Sequence, residues 1–137
     1  MVKTRGLTHV ALAVRNPKRS SAFYQRVFGA VEIYRGSDFV QLQTPGTWDV
    51  IVLEKHTRNV GPPRGVLHFG FRLVRPADVS QALDEVRAAG GTIVETGEFV
   101  PGEPYLFAKD PDGNLFEIWY ELPTKADPRK SRPTRRS

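Results

Sequence analysis

The chain has no cysteine among its 137 residues, which excludes a disulfide framework, thiolate nucleophiles and cysteine-based metal centres. It has no apolar stretch near the roughly 20 residues that span a bilayer, and its opening, MVKTRGLTHV, lacks the apolar core of a secretion signal. Cytoplasmic residence with no membrane partner is the expectation. No glycine-rich phosphate loop is visible either, since Gly29 and Gly90 sit where helices should stop.

Most of the chain also lacks an excess of either charge. The formal net charge is +5, but from Pro123 onward Lys125, Arg129, Lys130, Arg132, Arg135 and Arg136 face only Asp127, and the remainder holds fourteen basic and fourteen acidic residues. The basicity belongs to a tail at 123–137 that has no aromatic platform and no apolar face, so no nucleic-acid partner is expected and the tail reads as flexible.

What is present fits one domain at residues 1–122. The run LTHVALAV (residues 7–14) is apolar at nearly every position, which predicts a strand covered on both faces. Asn16 followed by Pro17 predicts a helix N-cap with proline at the first helical position. Phe23 with Val27 and Tyr24 with Phe28 repeat at helical spacing, and Gly29 ends the helix. VEIYR, FVQLQ and WDVIVLE then read as three strands. After the connector HTRNVGPPRG the order begins again. GVLHFGFRLV reads as a strand; Pro76 opens a helix with Val79, Leu83 and Val86 on one stripe; and TIVETGEF, PYLFAK and NLFEIWYE follow as strands. Asp110-Pro111-Asp112-Gly113 has the signature of the last hairpin turn. The prediction is an α+β chain of two tandem βαβββ modules, one at 5–57 and one at 64–122.

One residue does not fit a purely structural reading. Glu117 stands in a strand-like run with Leu115, Phe116, Ile118, Trp119 and Tyr120, and a carboxylate in apolar surroundings is costly unless paired, hydrogen-bonded or bound to metal. His9 and His68 fall at matching places in the first strands of the two modules. Two imidazoles and a carboxylate suit a divalent transition metal with open positions. Strand alternation puts Ala11 and Ala13 on the face of His9, and Gly70 and Arg72 on the face of His68, so small residues leave room beside the set.

With H-V-A-L-A-V, N-P-K-R-S-S-A-F-Y-Q-R-V-F-G, L-H-F-G-F and D-P-D-G-N-L-F-E-I, residues 7–121 resemble the vicinal oxygen chelate superfamily, which includes glyoxalase I, extradiol dioxygenases, fosfomycin resistance enzymes and bleomycin resistance proteins. The resemblance implies an open, cup-shaped mixed sheet, a homodimer, and His9, His68 and Glu117 as metal ligands. A fourth ligand of the glyoxalase branch falls on Val52, with Glu54 two residues on as the alternative. The protic Tyr and relay His of the extradiol branch fall on Phe107 and Trp48, and Tyr105 shares the face of Phe107 as a candidate catalytic substitute. The fosfomycin branch's Thr falls on Ala11.

The expectation is a metal-dependent enzyme (iron or manganese before nickel, cobalt or zinc) with no organic cofactor, acting on a small molecule with vicinal oxygens. Dioxygenase-type chemistry is placed ahead of a redox-neutral lyase or isomerase. Ala11, Trp48, Val52, Arg72, Phe107 and Trp119 would line the substrate pocket. The rival is a metal-free protein that sequesters a drug or metabolite.

Overall fold

The computed structural model describes residues 7–61, 68–125 and 128. The expected module starts at 5 and 64, and most of the basic tail, lie outside the described residues. The elements are β1 (Val10–Val14), α1 (Pro17–Phe28), β2 (Val31–Arg35), β3 (Phe39–Gln43), β4 (Ile51–Lys55), β5 (Phe69–Arg72), α2 (Val79–Ala88), β6 (Thr92–Glu98), β7 (Pro104–Lys109) and β8 (Leu115–Trp119). They form two four-stranded mixed sheets of the same plan, β1-β4-β3-β2 and β5-β8-β7-β6. In each, the first strand runs parallel to the last, Val10 beside Ile51 and Phe69 beside Phe116, and the other pairs are antiparallel. The twofold β-α-β-β-β order is therefore present.

The helix signals act as read at α1. The Asn16 side chain accepts the Arg19 N–H at 3.1 Å, Pro17 opens the helix, and Gly29 closes it at φ 65°. The second helix differs: Pro76–Asp78 is a 3₁₀ turn, and α-helix begins only at Val79. Asp78 is held by Arg75 at 3.1 Å, so its carboxylate is engaged away from the helix end. The strand expected from Trp48 begins at Ile51, because the Asp49 carboxylate accepts the Thr44 N–H at 2.8 Å and the Thr47 hydroxyl at 2.7 Å and folds that segment into a turn.

One core serves both modules. Leu12, Val14, Val40, Leu42 and Leu53 from the first sheet meet Leu106, Ala108, Phe116 and Ile118 from the second, with Phe23 and Tyr24 of α1 and Val86 of α2 among them. Phe28 of α1 stacks on Phe71 of β5 at 3.7 Å. Helices thus occupy the space shared by the sheets, and each sheet turns its other face away from that space. This corrects the expectation that β1 is covered on both faces: Leu12 and Val14 are buried, while Ala11 is exposed and Ala13 half-buried.

The hairpin 110–114 is also the joint between modules. Gly113, at φ 86°, donates to the Asp110 carbonyl as the turn signature requires. Its carboxylates reach much further. Asp112 accepts the Arg15 N–H at 3.1 Å, Arg19 Nη2 at 2.9 Å and the Ser20 hydroxyl at 2.8 Å, and Asp110 accepts the Tyr24 hydroxyl at 2.7 Å. Buried polar groups need such partners, and here the partners belong to the other module.

Candidate functional site

The outward face of the second sheet carries the densest chemistry. Within β7 and β8 the core side takes Leu106, Ala108, Phe116 and Ile118, so alternation sends Tyr105, Phe107, Glu117 and Trp119 outward. Glu117 is only 8% exposed. Its Oε2 lies 3.4 Å from Nε2 of His68, just before β5, and its Oε1 is buried with no hydrogen-bond partner among the described residues. Burial pushes the Glu117 carboxyl above its usual range, and the neighbouring His68 draws it partly back. A half-satisfied buried carboxylate beside an imidazole is the donor chemistry of a metal site.

Aromatic rings wall this face. Phe107 lies beside Glu117 in the strand register and meets His68 edge-on at 5.1 Å. Phe99 stacks on Tyr105 at 4.0 Å and meets Trp119 edge-on at 5.7 Å. The Trp119 indole Nε1 is buried and, like Glu117 Oε1, has no hydrogen-bond partner among the described residues. The Tyr105 hydroxyl donates to Glu95 Oε1 at 2.7 Å, and that hydrogen bond, then burial, raises the phenol above its usual range. Gly97 permits this arrangement: a Cβ there would stand 2.9 Å from the Tyr105 oxygen.

The structure does not bring the three expected ligands together within one chain. His68 and Glu117 are neighbours, but His9 is exposed on the outward face of the first sheet, with Nδ1 at 2.8 Å from the Thr8 hydroxyl. Among the described residues no three His, Asp or Glu side chains form a group able to hold a metal. Ala11 and Val52 pair in register on the His9 face. Glu54, two residues beyond Val52, lies 3.6 Å from His56. Trp48 is 68% exposed in the turn before β4, and Arg72 is ion-paired with Glu121 at 2.5 Å, not with Glu117.

Sequence reasoning missed Glu95, Phe99 and the two aspartates of the joint. For Glu95 no signal was available, because a register shift between Ile93 and Glu95 breaks the alternation that would have placed it. The aspartates were hidden by a turn signature that accounts for them locally.

A family model described as the Glyoxalase/Bleomycin resistance protein/Dioxygenase superfamily matches residues 6–118. A manganese-dependent 2,3-dihydroxybiphenyl 1,2-dioxygenase of Geobacillus genomosp. 3 is 30% identical over 130 residues, 90% of this chain and 40% of that protein. A lactoylglutathione lyase of Arabidopsis thaliana is 30% identical over 130 residues, covering 88% and 46% respectively. The chain thus spans less than half the length of these curated relatives. A glyoxalase/bleomycin resistance protein/dioxygenase family enzyme from Burkholderia phytofirmans PsJN superposes with a TM-score of 0.73 at 25% identity, over 84% of this chain and 98% of that one.

Proposed function

Because this chain belongs to the Glyoxalase/Bleomycin resistance protein/Dioxygenase superfamily, we propose that it is a metal-dependent enzyme acting on a small molecule with two vicinal oxygens, at a site completed by a second copy of the chain. The observation that carries the reading is the buried, unpartnered Oε1 of Glu117 beside His68, on a face turned away from the core. In a homodimer the first-sheet face of one copy lies over the second-sheet face of the other, and His9 of one copy joins His68 and Glu117 of its partner. Val31 and Ile33 on β2 and Val94 on β6, each about half exposed, are apolar surface of the kind a partner covers.

The donor set of two imidazoles and a carboxylate fits Fe²⁺ or Mn²⁺ before Ni²⁺, Co²⁺ or Zn²⁺. Such an ion would supply Lewis acidity and a template for two adjacent oxygens. This chain's own residues do the rest. Phe107, Phe99 and Trp119 form a wall that orients a substrate and excludes water. Tyr105 keeps its proton on the bond to Glu95. Dioxygenase-type chemistry is preferred over the lyase alternative, in line with the manganese-dependent relative.

The test is elemental mass spectrometry of protein purified without chelator or affinity tag, with the His9→Ala and Glu117→Ala variants alongside. About one transition-metal ion per chain is expected in the wild type, and little in either variant. Co-expressing the two variants should restore about a quarter of the wild-type metal, because about half of randomly assorted dimers are mixed and each of those keeps one of its two sites intact. Absence of metal, and no uptake of added iron or manganese, overturns the reading and favours the sequestering protein. That rival is supported by Phe107 standing where a protic group is expected and by the prior engagement of Tyr105 by Glu95.

A further inference from the structure

We infer that a second site, at the other end of the first sheet from His9, binds the phosphoryl group of a small organic phosphate. Six residue steps of near-extended chain lead from His9 to Arg15, a span of roughly 20 Å, so this site is distinct from the candidate metal centre and does not rest on that reading. A cleft of about 360 Å³ opens there, lined by Arg15, Lys18, Arg35, Lys55, Ser37 and Phe39 among others. The sheet plan gathers them. Arg15 follows β1 and Lys55 ends β4, its parallel neighbour, with Val14 and Lys55 paired in register. The Lys55 N–H donates to the Asp38 carbonyl at 2.8 Å, which holds the β2–β3 turn alongside. Gly36 in that turn lets the Phe39 ring lie across it, where a Cβ would approach to 2.3 Å.

The charge of the lining is what singles it out. Residues 1–122 hold equal numbers of acidic and basic side chains, yet this cleft collects four cations and no carboxylate among its lining residues. Arg35 is engaged by Glu32. Arg15, Lys18 and Lys55 have no side-chain ion pair among the described residues. The first turn of α1, which borders the cleft, carries no acidic residue of its own, and the carboxylate that reaches that end of the helix, Asp112, is taken up by the Arg15 N–H, Arg19 and Ser20. Three cations without a side-chain ion pair around one opening fit a dianion better than a single carboxylate, and the Arg15 guanidinium can present two parallel donors to phosphoryl oxygens. Phe39 and Val40 give the cleft an apolar side that free phosphate leaves uncovered and an organic phosphate fills.

The experiment is titration calorimetry on the full chain at low ionic strength with inorganic phosphate, phenyl phosphate and a short oligothymidylate, paired with amide chemical-shift mapping. Variants are Lys18→Ala, Lys55→Ala, the double variant, and Arg87→Ala as an exposed control outside the cleft; all of these positions are at the surface. Each cleft lysine removed should weaken phosphate binding about five- to tenfold, with the control unchanged and the shifts centred on Lys18, Ser37 and Lys55. Tighter binding of phenyl phosphate than of inorganic phosphate supports the organic phosphate, and equal binding overturns that assignment in favour of free phosphate. Binding unchanged in the double variant, or shifts confined to 123–137, assigns the affinity to the basic tail and overturns the proposal. Oligothymidylate binding far tighter than both, lost in the same variants, overturns the small-ligand assignment.

Discussion

Replacing Glu117 with Gln should invert the order of stability according to whether metal is present. In the metal-free chain the carboxylate is nearly buried, one oxygen has no partner among the described residues, and the close neighbour able to take a positive charge is His68, 39% exposed and 3.4 Å away. A buried acceptor left without a hydrogen bond costs about 1–3 kcal/mol, more when charged. The partly solvated imidazole returns no more than about 1 kcal/mol. Gln keeps the shape, removes the charge and leaves an amide group imperfectly paired, so the metal-free variant should be more stable than wild type by about 1 kcal/mol. Mn²⁺ at a hundredfold excess over its Kd adds about 2.7 kcal/mol to a protein that binds it only when folded. Wild type gains that and the variant does not, so the order reverses by a net margin of about 2 kcal/mol. Urea unfolding with EDTA and with Mn²⁺, at one protein concentration and with m-values compared, reads both limbs. A wild type already more stable in EDTA, or an equal response of both proteins to Mn²⁺, would refute the assignment of Glu117 as a ligand.

Asp112→Ala should destabilise the chain by about 3 kcal/mol, because it strips three hydrogen bonds and strands the buried Ser20 hydroxyl; a loss under about 1 kcal/mol by urea unfolding would show that the joint is not energetically central. The Tyr24 phenol is pushed well above 10.0 by burial and then by the charge of Asp110. A group raised in the folded state contributes stability that is complete below its unfolded pKa and lost as pH rises through the folded value, so Tyr24→Phe should flatten the alkaline limb of a stability-versus-pH curve. Gly97→Ala should drive the Tyr105 ring from its seat and break its bond to Glu95, seen as a changed near-ultraviolet circular dichroism signal with far-ultraviolet signal retained. Glu95→Gln, which keeps the ring in place, should instead bring one tyrosine to an earlier titration, because the carboxylate no longer favours the protonated phenol.

The repeat was legible in the sequence because every signal behind it is local. Asn16, Pro17 and Gly29 bracket α1 whatever the rest of the molecule does, and alternation in FVQLQ and PYLFAK needs only its own strand. Glu117 stood out for the converse reason, since nothing local accounts for an acid among Phe116, Ile118 and Trp119. The relation of His9 to His68 was another matter. Equivalent positions in two repeats say that both imidazoles face outward from their own sheets, but not which sheet lies opposite. Here the modules are joined through their helix-bearing sides, by Phe28 on Phe71 and by Asp112 on α1, so equivalence separates the two histidines within a chain. The contacts that decide this are long-range: Tyr24 meets Asp110 across 86 positions of sequence, and each partner has a sufficient local explanation, a helix aromatic and a turn aspartate. Where a local rule already accounts for a residue, its distant partner leaves no surplus to read. Pairing of modules within or between chains is therefore a property of side-chain burial, and the mixed-variant metal measurement addresses it directly, because restoration of metal by His9→Ala together with Glu117→Ala requires two chains to share one site.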